Sequence, residues 1–367
     1  MKKTKTSPSR PDLLLLALVL GLLVFGMVMV YDASVVSATR DFGDKYYFVK
    51  DQIQWALVGL VGLFVAMKLD YHFYRRVAVP IFFLALLLLV LVFIPGIGIN
   101  AYGANRWIDF KFFIVQPAEV MKLALAIFLA AWFEEKGDIK SFKRGFLPVA
   151  VVLGVIGFLI ISQPDLGSLL IIASTLLMVY FAAGARLLYY LVGLPLALGA
   201  GLLVILSSAY RKARLMTFFD PTTDTQGTSY HINQVLLALG SGGIFGTGIG
   251  QSRGKYEYLP EVTTDSIFAV IGEELGFAGS FVLLCVYGFI IYRGFKIALS
   301  APDRFGQLLA LGIVTTLATQ ATLNLAAMVA LVPLTGVPLP FISYGGSSLV
   351  VTLTSIGILL NISKQKT

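Results

Sequence analysis

Long apolar runs broken by short polar stretches fill the chain from residue 13 to residue 362. The runs are continuous rather than alternating. They therefore predict helices in an apolar medium, not the two-sided strands of a β-barrel. A helix needs about 20 residues to cross a bilayer. On that scale the pattern predicts ten membrane helices, at 13–31, 52–68, 77–95, 118–133, 146–162, 168–184, 187–209, 266–292, 307–332 and 344–362. The shortest extend into their flanks. The first follows a basic stretch and precedes "VSA" at 36–38, as a signal peptide would, but its apolar core exceeds the usual 7–15 residues of a cleaved signal, which predicts a retained helix. The expected fold is an all-α polytopic membrane protein with one transmembrane domain over residues 1–367.

Only one connection is long. Residues 210–265 separate the seventh and eighth predicted helices, with a short amphipathic or re-entrant helix expected at 231–240. The glycines between Gly240 and Gly254 permit tight turns and positive φ. A connection of this length in a compact protein is more often functional than filler. No internal repeat is strong enough to argue an inverted-repeat transporter.

Composition supports this reading. Hydrophobic residues make up 57% of the 367, charged residues 13%, and mean hydropathy is +0.86; soluble domains carry about a quarter charged residues. With the N-terminus placed in the cytoplasm, the inner segments hold 17 Lys and Arg and the outer loops 10, while acids divide 6 inside and 11 outside. That asymmetry places both termini, the basic tail 1–12 and the tail 363–367, in the cytoplasm, with 210–265 as a large extracytoplasmic loop. It also explains the net charge of +8 as an inner-face property, so no nucleic-acid partner is expected. A single cysteine, Cys285, excludes an intramolecular disulfide, and the distant His72 and His231 do not suggest a histidine metal cluster.

Candidate chemistry gathers at the predicted outer face. Asp265, in "TTDSIF", precedes an apolar helix. It is either an N-cap or a carboxylate at the mouth of a membrane cavity, able to take a proton from a hydroxyl or to bind a divalent cation. Glu261 is a second carboxylate of that mouth or a solvated loop residue. Glu273 and Glu274 lie about two turns deeper and read as a structural polar joint. In "QPAEVMK", Glu119 and Lys122 share a helix face at i,i+3, as an internal clamp or as a site where Lys122 meets an anion such as a diphosphate and Glu119 orients it. Asp165, in "SQPDLGS", reads as a turn residue. Arg106, Arg211, Arg214, Arg253 and Lys255 are either interfacial anchors or contacts to an anionic headgroup whose apolar tail stays in the bilayer. "PLTGVPLPFISYGGSSL" breaks the helix at the outer boundary, and no histidine stands ready to make one of its serines a nucleophile.

Seven of these segments, in order, resemble the SEDS family of FtsW, RodA and SpoVE: "NRWI", "QPAEVMK", "QPDLGS", "RLMTFFDP", "GSGGIFGTGIGQS", "YLPEVTTDSIFAVIGEELG" and "TGVPLPFISYGGSSL". The resemblance covers essentially the whole chain, and "KYEYLPE" and "IFAVIGEELG" bring it nearer the FtsW branch than the RodA branch. It implies a bacterial inner-membrane glycosyltransferase that polymerises lipid II, a disaccharide-pentapeptide on undecaprenyl diphosphate, outside the cytoplasmic membrane. A class B penicillin-binding protein and other division proteins are the implied partners. A divalent cation, Mg or Mn, is the one cofactor considered; no organic cofactor is expected. The family's essential aspartate falls on Asp265, and its Glu and Lys on Glu119 and Lys122. A RodA-like elongation polymerase, a lipid II flippase and a scaffold for division proteins are the competing readings. Thr263 stands where the family usually has His, Ser266 where it has Phe, and His231 where Gln is common, so any mechanism that needs a histidine at 263 is in doubt.

Overall fold

The computed structural model describes residues 10–101, 104–111, 113–135, 139–207, 209–219, 228–255 and 259–365. These residues form helices α1 (Leu13–Phe42), α2 (Tyr47–Lys68), α3 (His72–Leu91), α4 (Pro117–Glu135), α5 (Leu147–Ser162), α6 (Leu166–Ala182), α7 (Leu187–Leu206), α8 (Ala209–Phe219), α9 (Thr228–Ser241), α10 (Ile267–Leu299), α11 (Arg304–Met328) and α12 (Gly346–Lys364). Each predicted apolar segment falls on one of them, so the chain is an all-α polytopic membrane protein. Among the described residues, seven helices are long and apolar enough to cross a membrane: α1, α2, α3, α5 with its π-helical lead-in turn, α10, α11 and α12. The other three predicted spans fall on α4, α6 and α7. Four charged side chains, Glu119, Lys122, Glu134 and Glu135, dilute the apolar character of α4.

Three local features differ from the pattern. First, α1 does not stop at residue 31 but continues through Asp32 to Phe42, where Gly43 (φ 67°) turns the chain and its N–H closes on Thr39 O. Second, the long connection is not one loop with a single short helix: it carries both α8 and α9. Third, the segment before α4 folds into a small antiparallel sheet of β1 (Gly98–Ala101), β2 (Ala104–Asp109) and β3 (Ile114–Val115), with β2 in the middle. Most of the basic tail and the last two residues lie outside the described part.

One buried apolar cluster runs from α1 to α12, with α11 and α12 at its centre. Small residues let α2 and α12 touch. A Cβ on Gly357 would come within 2.3 Å of Leu63 O, and one on Gly59 within 2.6 Å of Leu353. Close backbone approach of this kind is how helices associate in lipid, where the hydrophobic effect gives no drive. By contrast α7 is exposed along most of its length.

Polar side chains close the bundle at both ends. At the end holding the termini, Arg293 Nη2 meets Asp12 Oδ2 at 2.6 Å, Asn361 Oδ1 accepts from Tyr71 N, and Tyr71 OH donates to Asp303. The opposite end gathers the sheet, the 163–165 turn, the 242–266 connection and residues 329–345.

Candidate active site

The site is built on residues 333–345, a segment with no regular structure between α11 and α12. Its backbone needs partners from other elements, because unpaired peptide groups are costly within a membrane. From α2, Gln52 Nε2 donates to Ser343 O and Gln52 Oε1 accepts from Gly345 N. From α11, Gln320 Nε2 donates to Pro338 O at 3.1 Å and Asn324 Nδ2 to Val337 O at 2.8 Å. Gln320 and Asn324 are i,i+4 on one face of α11, about 6 Å apart along its axis.

This segment grips the stretch before α10. Tyr344 N donates to Thr263 O at 2.8 Å, Ser343 Oγ donates to Thr264 O, and Asn324 Nδ2 donates to Asp265 O at 2.9 Å. Three consecutive carbonyls are thus held. Asp265 itself is half-buried, and a Cβ built on Gly336 would sit 3.7 Å from its Oδ2. With φ +68°, Gly336 gives the carboxylate a neighbour that has no side chain. α10 starts at Ile267, so Ser266 rather than Asp265 stands at the cap position, one residue on from the carboxylate.

Glu261 turns back on its own loop. It is exposed, adopts φ +50°, accepts from Thr264 and Ser266 N–H through its carbonyl, and takes the Thr264 hydroxyl at 3.0 Å. It shapes the turn that presents Asp265 rather than adding a second carboxylate beside it.

Along α11 from Asp265 lies the pair expected from "QPAEVMK". Lys122 Nζ meets Glu119 Oε1 at 2.6 Å and Gln320 Oε1 at 2.8 Å, and both charged residues are 2% exposed. Gln320 thus takes the ammonium on one side and supports Pro338 on the other. A small cleft opens over the pair, lined by Glu119, Lys122, Thr316, Gln320, Thr352 and Ser355; Asp265 does not line it. The hydroxyls of Thr316, Thr352 and Ser355 are spent on carbonyls of their own helices, so the cleft wall offers more apolar surface than its composition suggests.

Other candidates stand elsewhere. Lys255, read as an interfacial anchor or a headgroup contact, is buried: Nζ meets Asp32 Oδ1 at 2.9 Å, Gly250 O at 2.6 Å and Glu274 Oε1 at 3.3 Å. Burial works against its charge, but Asp32 and Glu274 outweigh that and hold its pKa above the ordinary 10.5. Arg106 reaches from β2 to the 163–165 turn, donating to Gln163 O and Pro164 O, and so latches the sheet onto the bundle. Asp165 caps α6 through Ser168 N and also takes the Ser168 hydroxyl and the Gln116 amide. Arg253 is exposed at this end. Arg211 and Arg214 lie on α8, but their side chains are outside the described part.

Glu273 and Glu274 anchor the glycine-rich connection. Glu273 accepts from Ser252 Oγ (2.6 Å), Arg253 N (2.8 Å) and Gly254 N (3.3 Å), while Glu274 accepts from Ser252 N (3.0 Å). Just beyond them α10 breaks at Gly276 (φ 66°, ψ −167°). The connection takes over the helix's own hydrogen bonds there. Glu273 O and Glu274 O accept from Thr247 N and Gly248 N, and Phe277 N and Ala278 N donate to Gly243 O and Ile244 O. Four peptide groups that a kink would orphan are satisfied by exchange.

A carboxylate held through its backbone at one end of a helical bundle, with a buried ion pair nearby, invites comparison with proteins of known kind. The family model described as "Cell cycle protein", covering FtsW, RodA and SpoVE, matches residues 12–367. The chain belongs to this family. Among its relatives, the protein named "Probable peptidoglycan glycosyltransferase FtsW" of Trichlorobacter lovleyi is 46% identical, with 96% of this chain and 93% of the other aligned. "Stage V sporulation protein E" of Bacillus subtilis is 42% identical over 98% of each chain. In structure the chain is similar to a subunit of a peptidoglycan synthase complex that coordinates polymerization and crosslinking (TM-score 0.78, 27% identity, 96% of this chain and 97% of that one). It is also similar to the rod shape-determining protein RodA of Thermus thermophilus (TM-score 0.71, 28% identity, 97% of each chain).

In this FtsW/RodA/SpoVE member, sequence reasoning missed Gln52, Gln320, Asn324 and Asp32. The signal was present. Amides at i,i+4 inside the apolar α11, and a carboxylate in the continuation of α1, are costly in lipid unless they serve a partner.

Proposed function

We propose that this chain is a peptidoglycan glycosyltransferase that polymerises lipid II at the outer face of the bacterial cytoplasmic membrane, in septal wall synthesis. The observation that carries the reading is the grip on three successive carbonyls of Thr263, Thr264 and Asp265, which fixes the backbone of one carboxylate at the mouth of a membrane bundle. The names of the relatives and of the synthase complex supply the substrate class.

In the reaction, the sugar 4-hydroxyl of one lipid II attacks the anomeric carbon of the growing strand. The new C–O bond forms as the bond to the lipid diphosphate breaks. Asp265 takes the hydroxyl proton, and the diphosphate carries the leaving electron pair. Positive charge grows on the sugar ring in the transition state, as in other glycosyl transfers. Lys122, which Glu119 holds, is our candidate cation for meeting the diphosphate from the membrane side. Arg211 and Arg214 are further candidates for that duty. No group of three His, Cys, Asp or Glu side chains converges on a metal position among the described residues. Were a divalent cation to take part, Asp265 would hold it, and it would offset negative charge on the substrate phosphates.

Membrane orientation follows the basic-residue asymmetry, with both termini cytoplasmic. A class B penicillin-binding protein is the proposed partner for crosslinking, with other division proteins in the same assembly. A lipid II translocation path through Glu119, Lys122 and Glu273 is disfavoured, because residues 252–254 wall Glu273 in. The test is polymerisation of lipid II by purified, folded protein with its partner. Asp265→Asn is expected to yield no glycan, and undiminished polymer from that variant overturns the assignment.

A further inference from the structure

Ser266 is fully buried and occupies the cap position of α10, yet its side chain makes no cap bond. A serine there ordinarily accepts from the second or third N–H of the helix, and giving that up costs helix stability. Its hydroxyl is instead 2.7 Å from His231 Nε2, reaching out to the first turn of α9. The helix start has traded its own cap for a bond to another element.

That bond completes a symmetrical grip. Thr263, Thr264 and Asp265 are held through their carbonyls from α11 and the 333–345 segment. Ser266, the next residue, is held through its side chain from the α9 side. The Asp265–Ser266 peptide is therefore tethered on both sides, and it is the unit whose rotation would swing the Asp265 carboxylate relative to Gly336.

We propose that His231 is a positioning residue for Asp265, acting through the Ser266 hydroxyl, and that residues 231 and 266 work as one pair. The inference rests on the assignment of Asp265 as the base. A displacement of about 1 Å at a reacting group costs up to about a hundredfold in rate, and a carboxylate still held on its other side should suffer less. Loss of the bond is expected to lower kcat about tenfold while leaving KM for lipid II nearly unchanged, since neither residue is placed against the diphosphate.

The experiment measures lipid II polymerisation by the full chain with its partner for His231→Ala, Ser266→Ala, the double variant and His231→Gln, with thermal melting of each in detergent. The expected result is a similar kcat loss in both single variants and no further loss in the double, because one bond is removed in each case. His231→Gln, whose amide N–H can still reach the hydroxyl, should recover most of the rate. Full kcat in His231→Ala, multiplying losses in the double variant, or a kcat loss that only follows the melting temperature overturns the proposal. Failure of the Asp265 assignment is separately visible, as polymer made by Asp265→Asn. Should the alanine variants not fold, His231→Gln against His231→Asn, whose shorter amide does not span to the Ser266 hydroxyl, decides it: equal rates overturn the proposal.

Discussion

Lys122 and Glu119 are each 2% exposed and meet at 2.6 Å. Taking one partner from such a pair leaves an uncompensated charge, at a cost of about 3–5 kcal/mol, whereas replacing both with uncharged residues of similar size is often neutral. Lys122→Met is therefore expected to lower the melting temperature sharply in detergent, and Glu119→Gln added to it to restore most of the loss. The double variant should still fail to polymerise lipid II if the ammonium serves the diphosphate; a fully active double variant would reduce the pair to a clamp. The sequence placed these two residues on one face and left open which role they play. The geometry adds the missing partner, Gln320, which connects the ion pair to the segment that holds Asp265. Nothing in a one-dimensional pattern distinguishes a glutamine that supports Pro338 from one that faces lipid.

Apolar periodicity made the membrane helices legible, because burial in lipid demands long runs and little else produces them. It was less informative where backbone partners come from other elements. The strands at 98–115 are too short and too mixed to signal themselves, and α8 is polar enough to pass for loop. The break at Gly276 was also invisible, since "EELGFAGS" reads as uninterrupted helix. Its cause is two glycines meeting: a Cβ on Gly276 would stand 2.3 Å from Gly246 N, and one on Gly246 would stand 2.0 Å from Glu274 O. Gly276→Ala combines that clash with an unfavourable positive φ and is expected to push the 243–255 connection off α10. Limited proteolysis should then cut within 243–255 at a concentration that leaves the parent chain whole. An uncut variant with an unchanged melting temperature would show that the kink is not set by these contacts.

Across the whole molecule, charge does more joining than the composition suggests. Lys255 brings α1, the glycine-rich connection and α10 together through Asp32, Gly250 O and Glu274, a three-way joint in which only the two glutamates of the region, Glu273 and Glu274, were expected to take part. Lys255→Met should destabilise the protein by separating α1 from the α10 kink, and Asp32→Asn added to it should recover part of the loss in a thermal melt. The sign of the pH response follows from the raised pKa of Lys255. Its contribution is fully present below the unfolded value near 10.5 and is lost only as pH rises through the higher folded value. Between pH 7 and 9.5 the difference in melting temperature between Lys255→Met and the parent chain should stay constant. A difference that shrinks across that window would mean the ammonium is losing its proton early. The motifs were legible, whereas the joints among them were not, because several need partners far away in sequence: 223 residues for Lys255 and Asp32, 198 for Lys122 and Gln320.

The exchange of hydrogen bonds at Gly276 also has a consequence for the time course of opening. Thr247 and Gly248 belong to a connection by sequence, yet their amides are bound into α10, as those of Phe277 and Ala278 are bound into the connection. None of the four can be released without orphaning its counterparts, so they should open as a single cooperative unit. In deuterated buffer these amides should exchange together and slowly, at the pace of a helix interior, while the amide of exposed Glu261 at the rim exchanges early.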